Sequence, residues 1–340
     1  MKKKLTVSIL GLSMVWAVSA QQSYLAPLVE ESMLLDVATA NQTVVVGERG
    51  HVLVGDANSL TQVSVPTMVT LTAVDGFKDT YLAVGHDATI LRSTDGGQSW
   101  NVVFSAVELD RPFLDVLFLD ESEAIAVGGY GLFFRSTDAG ETWALEQYVS
   151  LLSEDDNEYL ESIADDPEFY QEELNFIFPH FNRLSQRGGS LYLVGEAGLI
   201  AKSNDKGYSW ERYEVDYQGS FFDVQLLNNG SELAVGLRGN MFLQKEGQDW
   251  VRLPTCLTTS LNSIVRAGDA VYAVGNNGVV LAVELDKVES DETKTPNAEG
   301  CRQHVSLSQV ATDISSTISN AFLLNNVLTA VSANGLQPVE

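Results

Sequence analysis

The chain has 340 residues, with 46 Asp and Glu against 20 Lys and Arg and a formal net charge of −26. So acidic a surface excludes nucleic acid and anionic lipid as partners for the bulk of it, because both carry the same sign. With 45% hydrophobic residues and only 8 prolines, the chain is able to bury a large core, and its composition is not that of a disordered protein.

Residues 1–20 read as a secretory signal peptide. Lys2-Lys3-Lys4 form a basic start, Leu5–Val18 an apolar run, and Val18 and Ala20 a cleavage signal that leaves Gln21 as the first mature residue. That run is too short to span, and nothing later is apolar enough to cross a bilayer. Export to the periplasm is therefore expected, with residues 21–340 as one domain.

Within that domain one pattern recurs. Val46-Gly47…Gly50, Val84-Gly85…Ala88, Val127-Gly128…Gly131, Val194-Gly195…Gly198, Val235-Gly236…Gly239, Val274-Gly275…Gly278 and Val331-Ser332…Gly335 make seven units spaced by roughly forty residues, two of the steps being enlarged. Period-two runs such as Leu71–Val74, Phe113–Val116, Phe181–Leu184, Phe222–Val224 and Leu261–Ile264 precede the glycine turns and read as inner strands. Forty-residue all-β units predict a seven-bladed β-propeller with four-stranded antiparallel blades. Trp100, Trp143, Trp210 and Trp250 open the outer strands, where an indole is expected to wedge between neighbouring sheets.

Two insertions interrupt the repeat, at 150–180 and 286–301. The first holds ten acids and no Lys or Arg between Ser150 and Phe178, with apolar residues at near-helical spacing; Ser153 and Pro167 mark the starts of two short helices. It reads either as a lid or as a partner-docking element. The second is polar and reads as a loop between the third and fourth strands of blade six. Cys256 and Cys301, the only cysteines, leave one disulfide open: an oxidising compartment favours it, whereas the loop's departure from the far face argues against it. The last unit stops after its third strand, and Ser23–Val29 has the strand character to pair onto it and close the ring.

Ser93–Trp100, Ser136–Trp143 and Ser203–Trp210 match S-x-D-x-G-x-[ST]-W, which resembles the Asp-box or BNR repeat. The resemblance implies structural hairpins, with Asp95, Asp138 and Asp205 as turn caps; calcium would need more oxygens than each box offers. The whole repeat, with its signal peptide, resembles the photosystem II stability/assembly factor family of propellers, in its bacterial non-photosynthetic branch. That implies a non-enzymatic assembly or accessory factor for a membrane protein complex, which in other bacteria includes RND-type exporters. No cofactor or metal is implied, and a monomer is expected. By the same resemblance the glycine turns and the blade connections share one face. That gathers Arg49, His86, Arg111, Tyr130, His180, Arg183, Glu196 and Arg238 at the channel mouth, with Tyr159 and Phe169 of the insert nearby, as partner-binding residues. The competing class is a BNR glycoside hydrolase of the sialidase kind, which would use Arg49, Arg111, Arg183 and Arg238 with Tyr130 and Glu196. Metal hydrolysis has little support, since His51, His86, His180 and His304 show no ligand spacing.

Overall fold

The alternating runs form strands, and turns join each to the next except in blade 6, where a long loop leads to the last strand, so strand order within every sheet is chain order. A computed structural model describes residues 22–56 and 58–339; the signal-peptide reading and the cleavage at Gln21 lie outside them. Six sheets have four strands and the seventh has three. The inner strands are Leu34–Thr39, Leu71–Phe77, Phe113–Phe118, Phe181–Arg187, Phe221–Leu226, Leu261–Ala267 and Ile318–Leu324. Each packs on the next and the seventh packs on the first, so the protein is a seven-bladed β-propeller, its blades numbered 1–7 in chain order.

The recurring glycines are explained by close approach. A Cβ on Gly47, Gly85, Gly128, Gly195, Gly236 or Gly275 would lie 2.0–2.2 Å from the carbonyl oxygen just before the inner strand of its own blade. The middle residue of each turn that follows, Arg49, Asp87, Tyr130, Ala197, Arg238 or Asn277, has φ between 52° and 58°. This left-handed conformation costs a non-glycine residue about 1 kcal/mol or more, and it swings the side chain out of the sheet.

The three serine–aspartate turns are self-capped. In the third, Asp205 accepts from the Ser203 hydroxyl (2.7 Å), the Ser209 N–H (2.9 Å) and the Ser209 hydroxyl (2.6 Å), and the Gly207 N–H donates to Ser203 (2.8 Å). The turns at Asp95 and Asp138 repeat the same bonds. The Ser209 hydroxyl, then the Ser203 hydroxyl and the Ser209 N–H, hold the Asp205 carboxyl down to about 2. These turns also lock the blades together. Arg92 of blade 2 donates to the Ala139 carbonyl of blade 3 (2.8 Å), and Arg135 of blade 3 donates to the Lys206 and Gly207 carbonyls of blade 4 (2.9 and 3.0 Å). The tryptophans pack between blades as expected, Trp210 edge-on to Phe133 of blade 3 and Trp250 to Tyr213 of blade 4.

The acidic insert forms two helices, α1 (Glu154–Ser162) and α2 (Pro167–Leu174). Ser153 caps α1 by accepting the Asp156 N–H, Asp166 caps α2 by accepting the Phe169 N–H, and Pro167 fills the first turn. Leu151, Leu152, Leu160, Leu174 and Phe178 are buried in one cluster with Leu193 and Leu199 of blade 4 and Phe133 of blade 3. Burying each is worth about 1.5–3 kcal/mol, so the insert is fixed on the ring through its apolar side and turns its acids outward.

One expectation is corrected, and one open alternative is decided. Ser23–Val29 adds no strand to blade 7. It runs instead beside the outer strand of blade 1, with the Ser23 N–H on the Val65 carbonyl (2.8 Å) and the Gln62 side chain bridging the Tyr24 carbonyl and the Ala26 N–H (2.9 and 2.8 Å). Val29 then wedges among Leu34, Leu53, Phe322 and Val331, so side-chain packing at the blade 7/blade 1 seam closes the ring. Cys256 and Cys301 are joined by a disulfide with Cα atoms 5.8 Å apart. The long loop climbs back to make it, anchored by the His304 N–H on the Pro254 carbonyl (2.8 Å) and the Gln303 amide on the Thr255 carbonyl (3.2 Å).

Candidate functional site

The glycine turns and the residues leading into the inner strands lie at one end of the ring: the Gly129 N–H donates to the Pro112 carbonyl (2.9 Å) and the Glu196 N–H to the His180 carbonyl (3.0 Å). The insert arrives at this end, since a Cβ on Gly131 would lie 2.3 Å from the Phe178 Cβ. Antiparallel order sends the serine–aspartate turns to the opposite end.

At the junction of blade 3, blade 4 and the insert, five side chains meet. The Arg111 guanidinium donates to the Asn175 carbonyl (2.8 Å) and lies 5.3 Å from the Tyr130 ring centre and 5.5 Å from that of Phe176. Tyr130 meets the His180 ring edge-on at 4.6 Å. The backbone N–H of His180 donates to the Glu196 carboxylate (3.3 Å), and the imidazole Nδ1 is 3.6 Å from the other Glu196 oxygen. Tyr130 is 47% exposed and Phe176 70%, although both are large hydrophobic groups. A cation held between two exposed rings, with an imidazole and a carboxylate beside it, offers anchors of the kind that dominate protein-binding surfaces.

Arg111, Tyr130, His180 and Glu196 are thus brought together as the sequence led us to expect, and Phe176 completes them. The other candidates lie apart. Arg49 turns toward its neighbour Glu48 (3.9 Å) and Arg238 is exposed on blade 5. His86 lines a cavity of about 760 Å³ on blade 2 with Met68, Val102 and Val107, between the connections that enter and leave that blade. Tyr159 and Phe169 are exposed on the insert's helices, and the Tyr159 hydroxyl donates to Glu173 (3.0 Å).

Arg183 is a correction. It lies inside the channel rather than at the mouth, 3.1 Å from Asp115 and 3.4 Å from Asp36 with its side chain one-fifth exposed. The reason is a single step of strand register: Phe181 points into the blade and the residue two further on points at the axis, where five of the other six blades place Asp36, Asp115, Asp223, Ser263 and Asn320. These side chains lace neighbouring blades together. Asp36 accepts the Val74 N–H (3.1 Å), Asp75 the Phe118 N–H (2.7 Å), Asp115 the Leu184 N–H (2.6 Å) and Asp223 the Ile264 N–H (2.7 Å), while the Asn320 amide donates to Asp36 (2.6 Å) across the closing seam. Burial pushes the Asp75 carboxyl up to about 7 against the Phe118 N–H that favours its charge; burial likewise pushes Asp115 up to about 7 against Arg183, and raises Asp223.

No hydrogen bond joins Tyr130 to Glu196, because His180 stands between them, and Arg183 is committed to the channel acids. Of the residues a sialidase would use, Arg111, Tyr130 and Glu196 lie together through His180, whereas Arg49 and Arg183 lie apart from them.

The protein is, by fold, a seven-bladed propeller that displays aromatic and charged side chains at one mouth of its channel. Neither a protein-family model nor a curated protein matches its sequence. Among solved structures, YCF48 from Cyanidioschyzon merolae is similar with a TM-score of 0.61 and 14% identity over 93% of this chain and 97% of that one. A structure of YCF48 bound to D1 peptide has the same TM-score and identity over 93% and 94%. BamB from Moraxella catarrhalis has a TM-score of 0.54 and 15% identity over 90% and 82%. At such identities the likeness is one of fold.

Proposed function

We propose that this chain is an exported, non-enzymatic, protein-binding propeller that serves as an assembly, stability or accessory factor for a membrane protein complex in the periplasm, an RND-type exporter among the candidates. The observation that carries the reading is the Arg111–Tyr130–Phe176 cluster, in which two large exposed rings flank a guanidinium at the edge of the channel mouth. Exposed aromatics and arginine are the residues that carry affinity in protein interfaces, while surrounding charge sets encounter rate and specificity. The insert's acidic outer face supplies that charge. The likeness in fold to YCF48 bound to D1 peptide supports the same use of a propeller. The test is co-purification from detergent-solubilised envelope. Wild-type protein should retain a membrane protein that a Tyr130→Ala/Phe176→Ala variant with an unchanged melting temperature loses; equal retention by both would overturn the reading.

A further inference from the structure

At the opposite end of the channel, away from the site described above, two arginines converge without an acid between them. Arg187 ends the inner strand of blade 4, and Arg266 lies near the end of that of blade 6. Both reach over blade 5 to the same two neutral oxygens. Arg187 donates to the Leu226 carbonyl (2.6 Å) and to the Asn228 side-chain oxygen (2.6 Å), and Arg266 donates to the Asn228 oxygen (3.0 Å) and to the Leu226 carbonyl. Among the described residues, no carboxylate pairs with either guanidinium. In a chain with 46 acids to 20 bases, that is an unusual place for two partly buried cations to be left together.

The cost of this arrangement is electrostatic. Two guanidiniums that share acceptors repel each other, and partial burial weakens the screening that would relieve them. Burial first, and the Arg187 charge second, lower the Arg266 pKa. Each guanidinium has five N–H donors in a rigid fork and uses two of its nitrogens on neutral oxygens, so donors remain on both. Arg266 lines a cavity of about 700 Å³ at this mouth, whose walls include Thr39, Asn41, Gln42 and Asn320, and Arg187 lines a neighbouring cleft of about 620 Å³ whose walls also carry Glu211, Glu214, Glu232, Glu246 and Asp249, so the open donors face the first cavity's side. Among the described residues the one acid on the first cavity's wall is Asp56, which is occupied in capping its own turn through the Asn58 and Ser59 N–H groups (2.8 and 3.1 Å).

We propose that Arg187 and Arg266, positioned by Leu226 and Asn228, form a binding site for a small oxyanion, a carboxylate or a phosphate, at the channel mouth opposite the aromatic cluster. A bound oxyanion would take the remaining donors of both forks and remove the repulsion between them, which is the charge-assisted geometry in which arginine binds most strongly. The site does not depend on the protein-binding reading.

The test is calorimetric titration of the full mature protein with inorganic phosphate and, separately, with acetate, at constant ionic strength set by chloride so that screening is not read as binding. Saturable binding of either is expected, and which of the two binds identifies the carboxylate or the phosphoryl source. Arg187→Gln/Arg266→Gln should lose roughly tenfold or more in affinity, whereas Arg252→Gln, an exposed arginine on the outer strand of blade 5, should leave it unchanged. If the double variant does not fold, Arg266→Lys keeps the charge, loses the fork and should bind several-fold more weakly. No binding of either anion to the wild type at millimolar concentration, or undiminished binding by the arginine variants, would show that the pair is only a structural clip.

Discussion

Replacing Arg183 with methionine removes the cation from the centre of the channel while keeping much of the side-chain volume. Its guanidinium lies 3.1 Å from Asp115 and 3.4 Å from Asp36, so each contact is worth about 5 kcal/mol gross at an effective dielectric of 20. Desolvation offsets much of that, and removing one member of such a buried cluster costs about 3–5 kcal/mol net. The loss should depend on pH. Asp75 and Asp115 are already pushed up to about 7, so below that value they are protonated in the folded protein and Arg183 has less charge to balance. Urea unfolding followed by tryptophan fluorescence should give a loss of about 3–5 kcal/mol at pH 8 and about half that or less at pH 5.5. A loss of the same size at both values, or one under about 1 kcal/mol at pH 8, would refute the assignment of Arg183 as the channel's counter-charge.

The wild type should itself respond to pH in a related way. Carboxyls whose folded pKa is raised hold protons that the unfolded chain releases, so their contribution is lost as pH rises through about 7; the urea midpoint should be higher at pH 5.5 than at pH 8, and a flat or opposite trend counts against the channel description. Asp205→Ala removes three hydrogen bonds from one turn and should cost about 1–2 kcal/mol, readable by calorimetry, because the same turn also receives Arg135 from the neighbouring blade. Cys301→Ser opens a loop with a sequence separation of 45 and should cost about 2–4 kcal/mol; reductant should lower the melting temperature of the wild type but not of the variant, and two free thiols in the native wild type would contradict the bridge.

The fold was legible because its demands fall on single residue types. A Cβ cannot fit where Gly47 or Gly128 passes a carbonyl oxygen, and a turn capped like that at Asp205 needs serine, aspartate and glycine at fixed offsets, so the first pattern survives in the sequence of six blades and the second in three. The helix starts at Ser153 and Pro167 were readable for the same reason. The channel was not read, although its signal was present: Asp36, Asp115, Arg183 and Asp223 recur two residues after the apolar start of an inner strand, a position where alternation alone does not say whether a side chain faces the axis or the mouth. Phe176 stood among other apolar residues of the insert, and only the path of Arg111 to Asn175 distinguishes it. The course of the N-terminal segment is set by Gln62 and by the Ser23–Val65 pairing, and that of the long loop by the carbonyls of Pro254 and Thr255 and the disulfide beside them. Contacts between segments so far apart leave no periodic trace.

The central claim is that the mouth bearing Arg111, Tyr130 and Phe176 is where another protein is held. It is tested most directly by site-specific photo-crosslinking in the native envelope, with the crosslinker placed in turn at Tyr130, at Phe176 and, on the opposite face, at Gln98. We predict one membrane-protein adduct, common to Tyr130 and Phe176 and absent from Gln98. Adducts of equal yield from Gln98, or none from either aromatic position while Gln98 gives one, would contradict the account.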